Sequence, residues 1–196
     1  MTWGANWGEV SLYLAKMNPQ AKILAVEAST DNFKILGSNI KIQAFNTSNI
    51  LCLNEAVTDK KGTIEISKGK GAENTTLKNH WQNTLTETVS CDTLSSLIDR
   101  FHFNTIDFLK IDIEGTEPQL FESLKENIHK IKSLIVEVGS KIPHEPYIPM
   151  LSFLWESNME CYEWQHEEPI STFEELRKHV TSRPSLDLWF IKRQTN

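Results

Sequence analysis

Apolar positions along the chain follow two alternating rhythms. Strand-length aliphatic and β-branched runs occupy residues 22–27, 50–53, 106–111 and 134–138, and such near-continuous hydrophobicity suits strands buried on both faces. Between them the spacing becomes helical. Val10, Leu14 and Met17 mark one helix, stopped by Asn18-Pro19; Phe33, Leu36 and Ile40 mark a second, with Ser29, Thr30 and Asp31 as capping candidates. Leu94, Leu97, Ile98 and Phe101 mark a third, and Leu120, Leu124 and Ile128 a fourth. Asp59-Lys60-Lys61-Gly62 is a turn before a strand at 63–66, and the polar stretch 67–83 reads as a long mobile loop. A short helix at 150–156, a strand at 159–164, a helix at 173–179 and a last strand at 186–191 complete the pattern. Strands alternating with helices predict a doubly wound, mostly parallel α/β sheet. With no linker and no repeat, residues 1–196 read as one domain.

Composition narrows the function classes. A hydrophobic fraction of 39% with 23% charged residues supplies one sizeable core and excludes a disordered or collagenous chain. Lys and Arg number 20 against 26 Asp and Glu, a net charge of −6 that argues against a nucleic-acid partner. The apolar runs are too short to span a membrane, and residues 1–6 lack the pattern of a signal peptide, so a cytoplasmic location is the default expectation. Cys52, Cys91 and Cys161 lie too far apart for a CxxC motif and read as buried or reduced thiols.

Open parallel sheets bind ligands beyond the carboxyl ends of their strands, which directs attention to four places. Gly4-Ala5-Asn6-Trp7-Gly8-Glu9 runs directly into the first helix; its two glycines let the backbone pass close to a ligand with helix N–H groups behind it. The same pattern also serves as a tight turn before a helix. Glu27 ends the second strand, 19 residues after Gly8, where its carboxylate either accepts the hydroxyls of a ribose or faces solvent. The turn at 54–59 places Asn54 and Ala56 where a nucleobase could be bordered. Finally, Lys110-Ile111-Asp112-Ile113-Glu114-Gly115-Thr116-Glu117 ends a strand in two carboxylates. Asp112 and Glu114 there suit orienting or deprotonating a substrate hydroxyl, or holding a divalent metal. The structural alternative makes them a loop acceptor and a helix cap, and capping is the preferred reading for Glu117. His144 is a second candidate base, while the other histidines read as surface residues. Trp3 and Trp7 either stack on a ligand or pack on the first helix, and Lys68, Lys70, Lys78 and His80 either close over an acceptor or are solvated.

Together these segments resemble an FkbM-type S-adenosylmethionine-dependent methyltransferase. The resemblance rests on Gly-Ala-Asn-x-Gly, the Ala-Val-Glu strand end, Asn-Glu-Ala-Val-Thr-Asp-Lys-Lys-Gly, Cys-Asp-Thr-Leu-Ser-Ser-Leu-Ile and above all residues 106–117. It implies a class I, Rossmann-like methyltransferase fold whose last strand, near 186–191, runs antiparallel to the others. It also implies methyl transfer from S-adenosyl-L-methionine to a hydroxyl of a sugar, glycolipid or natural product. Carried over by position, Gly4, Asn6 and Gly8 would face the methionine end of that cofactor and Glu27 its ribose, with Ala5, Asn54 and Ala56 as further cofactor-binding candidates. Asp112 and Glu114 would stand near the reacting methyl, and the scheme requires no metal.

One departure is the family's acidic residue two positions before the first glycine, replaced here by Thr2. The central strand leading to it is missing, so the chain reads as N-terminally truncated, with several apolar residues and an acid expected to be encoded upstream of Met1. A non-catalytic binding module on the same fold is the alternative. A metal-dependent hydrolase built on Asp112 and Glu114 ranks last, because no further ligands occur at matching spacing.

Overall fold

The computed structural model describes residues 1–68, 85–139, 142–164, 166 and 168–193, which fall into two compact units, Met1–Thr93 and Leu94–Asn196. In the first unit, β1 (Thr2–Trp3), β2 (Ile23–Val26) and β3 (Ile50–Leu53) are parallel in the order β3-β2-β1. The strand expected to be missing ahead of the glycine loop is thus formed over two residues, with Thr2 opposite Ala25 and Trp3 opposite Val26. β2 is buried throughout because it is paired on both sides. β3 carries the same aliphatic composition, yet Leu51 is 42% exposed, since a neighbour covers only one edge.

Two helices belong to this unit. α1 (Glu9–Met17) starts at Gly8 and ends where Asn18 N–H bonds the Leu14 carbonyl, just before Pro19. α2 (Thr30–Lys41) is capped by Ser29, whose hydroxyl accepts from Asn32 N at 3.4 Å. Leu36 on its inner face packs with Ala5 and Ala25, fastening the helix to the glycine loop and to β2; burying such a side chain contributes about 2 kcal/mol.

A second, three-stranded sheet follows, of β4 (Ala56–Val57), β5 (Gly62–Ser67) and β6 (Thr86–Asp92) in the order β4-β6-β5. β5 and β6 are antiparallel, and β4 joins β6 through Ala56 opposite Cys91. Ala56, Ile66, Val89 and Cys91 form its core. Residues 56–57, read from sequence as turn, therefore extend as a strand. Of the stretch read as a mobile loop, only residues 67 and 68 lie within the described residues.

The second unit opens with α3 (Leu94–Arg100), followed by β7 (Leu109–Ile111), a 3-10 turn (Glu117–Leu120) and α4 (Phe121–Asn127). β8 (Ser133–Gly139), α5 (Ile148–Glu156), β9 (Met159–Glu163), α6 (Phe173–Ser182) and β10 (Ser185–Lys192) complete it. The strand order is β7-β8-β10-β9, with β8 parallel to β7 and β10 antiparallel to both β8 and β9. The antiparallel last strand accords with the sequence expectation. Leu134, Val136 and Val138 of β8 are buried with Leu186, Leu188 and Phe190 of β10. The alternate positions Ile135 and Glu137, opposite Trp189 and Asp187, share the other face. No helix among the described residues is long and apolar enough to cross a membrane.

Candidate active site

The glycine loop is built by its hydrogen bonds. Ala5 N–H reaches back to the Val26 carbonyl at 3.0 Å, Gly8 N–H bonds the Ala5 carbonyl at 2.8 Å, and Leu12 N–H bonds the Gly8 carbonyl at 2.8 Å, so the loop passes without a break into α1. Asn6 and Gly8 adopt left-handed backbone, at φ 49° and 97°. A side chain at position 8 would meet Leu36 Cδ1 at 2.6 Å, so glycine is needed there for both conformation and space. Thr2 Oγ1 and Ser11 Oγ lie 2.6 Å apart, which ties β1 to α1.

Glu27 is the clasp of this loop. It is 5% exposed, not solvent-facing, and its Oε2 accepts from Asn6 N at 2.7 Å while Oε1 accepts from Ser29 N at 2.9 Å. Asn54 donates its amide to the carbonyls of Glu27 and Ala28 at 3.0 and 2.8 Å, and its Oδ1 accepts from Thr30 Oγ1 at 3.2 Å. Its side chain ties the end of β3 to the segment that follows β2, and Ala56 is packed in the small sheet. Trp7 Nε1 donates to Asn32 Oδ1 at 3.3 Å.

Among the described residues, the buried atoms Asn6 Oδ1, Asn32 Nδ2 and Trp3 Nε1 have no hydrogen-bond partner. Buried polar atoms are ordinarily paired. An unpaired acceptor, Asn6 Oδ1, and an unpaired donor, Asn32 Nδ2, suit a polar ligand that carries an ammonium and a carboxylate.

In the second unit, β7 runs into the loop that carries Asp112 and Glu114. Lys110 Nζ donates to Asp112 Oδ2 at 2.5 Å. Glu114 and Gly115 both take positive φ, 60° and 96°, which reverses the chain directly after the carboxylates. Glu117, expected to be a cap, instead supports this reversal from inside. It is 1% exposed and accepts from Ile113 N at 2.9 Å, Gly115 N at 3.1 Å and the Tyr147 hydroxyl at 2.8 Å. Burial raises its carboxyl above the ordinary range, against the lowering effect of these bonds. Burial and the facing Glu117 likewise push the Tyr147 phenol upward, so it remains a donor.

Glu137, not singled out from sequence, stands within hydrogen-bonding reach of Asp112. Burial first, then the charges of Asp112, Glu114 and Glu117, push its carboxyl up to about 8. Its only sequence signal is a lone charge within the apolar run Leu134-Ile135-Val136-Glu137-Val138. A cavity of about 240 Å3 opens against Glu137, Asp187, Ser185 and Trp164, with Glu163 and Arg183 joined as an ion pair on its wall. His144 lies beside Gly139, at the end of β8. The three cysteines are free thiols, and burial raises those of Cys52 and Cys161. Asn6, Gly8, Glu27 and Asn54 are thus brought together in the first unit, and Asp112, Glu114, Glu117 and Glu137 in the second.

The sequence profile of the methyltransferase FkbM domain matches residues 3–181. The chain is 25% identical over 179 residues to the methyltransferase sdnD of Sordaria araneosa, an alignment covering 76% of this chain and 69% of that protein. Among solved structures, methyltransferase FkbM from Methylobacillus flagellatus superimposes with a TM-score of 0.59 at 15% identity, covering 96% of this chain and 42% of that one. A precorrin-6y C5,15-methyltransferase from Geobacter metallireducens gives 0.50 at 10% identity, covering 98% and 78%. The chain therefore spans less than half the length of the first of these structures. At such identities the likeness concerns the fold, which is that of class I methyltransferases.

Proposed function

The chain belongs to the methyltransferase FkbM domain family, and from that premise we propose that it transfers a methyl group from S-adenosyl-L-methionine to a hydroxyl oxygen of a small molecule or glycan, its two units working as one methyltransferase domain. The observation that carries the reading is the glycine loop clasped by Glu27, with Asn6 Oδ1 and Asn32 Nδ2 left unpaired beside it. In this reading Gly4, Ala5, Asn6 and Gly8 hold the methionine end, Asn6 Oδ1 accepting from its ammonium. The Glu27 carboxylate accepts from the ribose hydroxyls, and the segment bearing Asn54 and Ala56 borders the base. When bound, the cofactor supplies an electrophilic methyl on a sulfonium.

The chain's own task is then alignment and proton removal. Asp112 takes the proton that the acceptor hydroxyl loses as its oxygen gains the methyl. Glu114 borders the acceptor, and Glu117 with Tyr147 holds the loop that presents both. Lys110 orients the Asp112 carboxylate.

Methyl-labelled S-adenosylmethionine incubated with the chain and a panel of sugar and polyketide-like alcohols tests this. Asp112→Asn is expected to retain cofactor binding while transfer falls by about 100-fold or more. Unchanged transfer in that variant would remove Asp112 from the chemistry, and a chain that folds cooperatively but does not bind the cofactor would be a non-catalytic module instead.

A further inference from the structure

The second unit contains a charge arrangement that Asp112 alone does not explain. Glu137 and Asp187 face each other directly in the antiparallel register of β8 and β10, on the same face of the sheet. In the parallel register of β7 and β8, Ile111 is opposite Val136, so Asp112, next along, is level with Glu137. Two facing strand carboxyl groups, Glu137 and Asp187, are thus continued by Asp112, the residue that follows β7. Like charges directly opposite one another destabilise a sheet.

Among the described residues, one cation is bonded to these carboxyl groups. Lys110 is bonded to Asp112, and Arg183 is engaged by Glu163 on the cavity wall. Glu114 and Glu117 add negative charge from the loop, and Tyr147, packed against Glu117, faces the cluster as a neutral phenol. No three of these side chains converge as metal ligands do, among the described residues. Two carboxyl groups within hydrogen-bonding reach can bond to each other only when one of them carries a proton.

We propose that Glu137, on the wall of the cavity, and Asp112, level with it on the neighbouring chain segment, share a single proton and act as one acid–base group, deepening the proposed function by assigning its proton-handling group to the pair. The pair offers a hydroxyl ligand one donor and several acceptor lone pairs on the same side. It rests on the reading of Asp112 as the residue that meets the acceptor, but its protonation is measurable without any acceptor.

The test is a carboxyl-detected NMR titration of the full chain labelled with 13C at Glu side chains, with Glu137→Gln to assign the resonance and Asp112→Asn to break the pair. In the wild-type chain Glu137 should titrate near pH 8, and in Asp112→Asn its midpoint should fall by roughly one unit or more, as loss of an adjacent like charge requires. A wild-type midpoint near pH 4–5 would overturn the shared proton. A high midpoint that Asp112→Asn leaves unmoved would overturn it as well, since burial alone would then be responsible. Calorimetry with S-adenosylhomocysteine on the same sample separates the two claims: binding with an ordinary Glu137 titration defeats only the pair, whereas a high, coupled titration without binding defeats only the methyltransferase reading.

Discussion

Gly8 concentrates two constraints in one residue: a left-handed backbone and a Leu36 methyl 2.6 Å from where a side chain would begin. Gly8→Ala should cost about 1–3 kcal/mol in urea unfolding and also weaken cofactor binding, because strain and displacement both fall on the loop. Glu137 gives a pH-dependent expectation of definite sign. Its carboxyl is raised to about 8 in the folded chain, so it holds a proton that the unfolded chain releases nearer its ordinary value. Its contribution to stability is complete below about pH 4.5 and is lost as the pH rises towards 8 and beyond. Glu137→Gln, which stays neutral, should melt roughly 3–6 °C above the wild-type chain at pH 9 and show little difference at pH 5; the same difference at both values would contradict this. Glu27 and Asp112 were legible in the sequence because strand ends bearing acids are recognisable. Glu117, Tyr147 and Glu137 were not, because their roles come from partners separated in sequence: Tyr147 lies 30 residues from Glu117.

Among elements, β2, β3 and β8 were legible because their aliphatic runs are long and uniform, and the helices because apolar residues repeat on one face. β6 escaped because Thr86–Asp92 alternates polar and apolar positions after a polar stretch, the pattern of a strand buried on one side only. β1 and β4 are two residues each and exist through their partners, β2 and β6, a non-local condition that no local pattern carries. The turn after β8 has its own sensitive point. A Cβ at Gly139, where φ is 97°, would meet the Pro184 carbonyl and His144 Nε2. Gly139→Ala should therefore destabilise the chain by about 3 kcal/mol or more, since one obstacle is backbone and cannot rotate away. Unfolding in urea at constant slope reads this out, and a loss below 1 kcal/mol would show that β8 ends differently.

For the chain as a whole, alternation of strand and helix forecast the α/β class, and the motifs forecast the family, while the division of labour inside each unit emerged only with the folded contacts. The first unit gathers a glycine loop, a clasping carboxylate and unpaired polar atoms. The second gathers carboxyl groups that lie far apart in sequence. The proposed methyl transfer depends on cofactor recognition by the first unit. The most direct test is isothermal titration of S-adenosylhomocysteine into the 196-residue chain, in parallel with Glu27→Gln. The account predicts saturable binding to one site per chain, weakened about tenfold or more in Glu27→Gln through loss of charge-assisted hydrogen bonds. Absence of heat at millimolar ligand from a chain that melts cooperatively would contradict it.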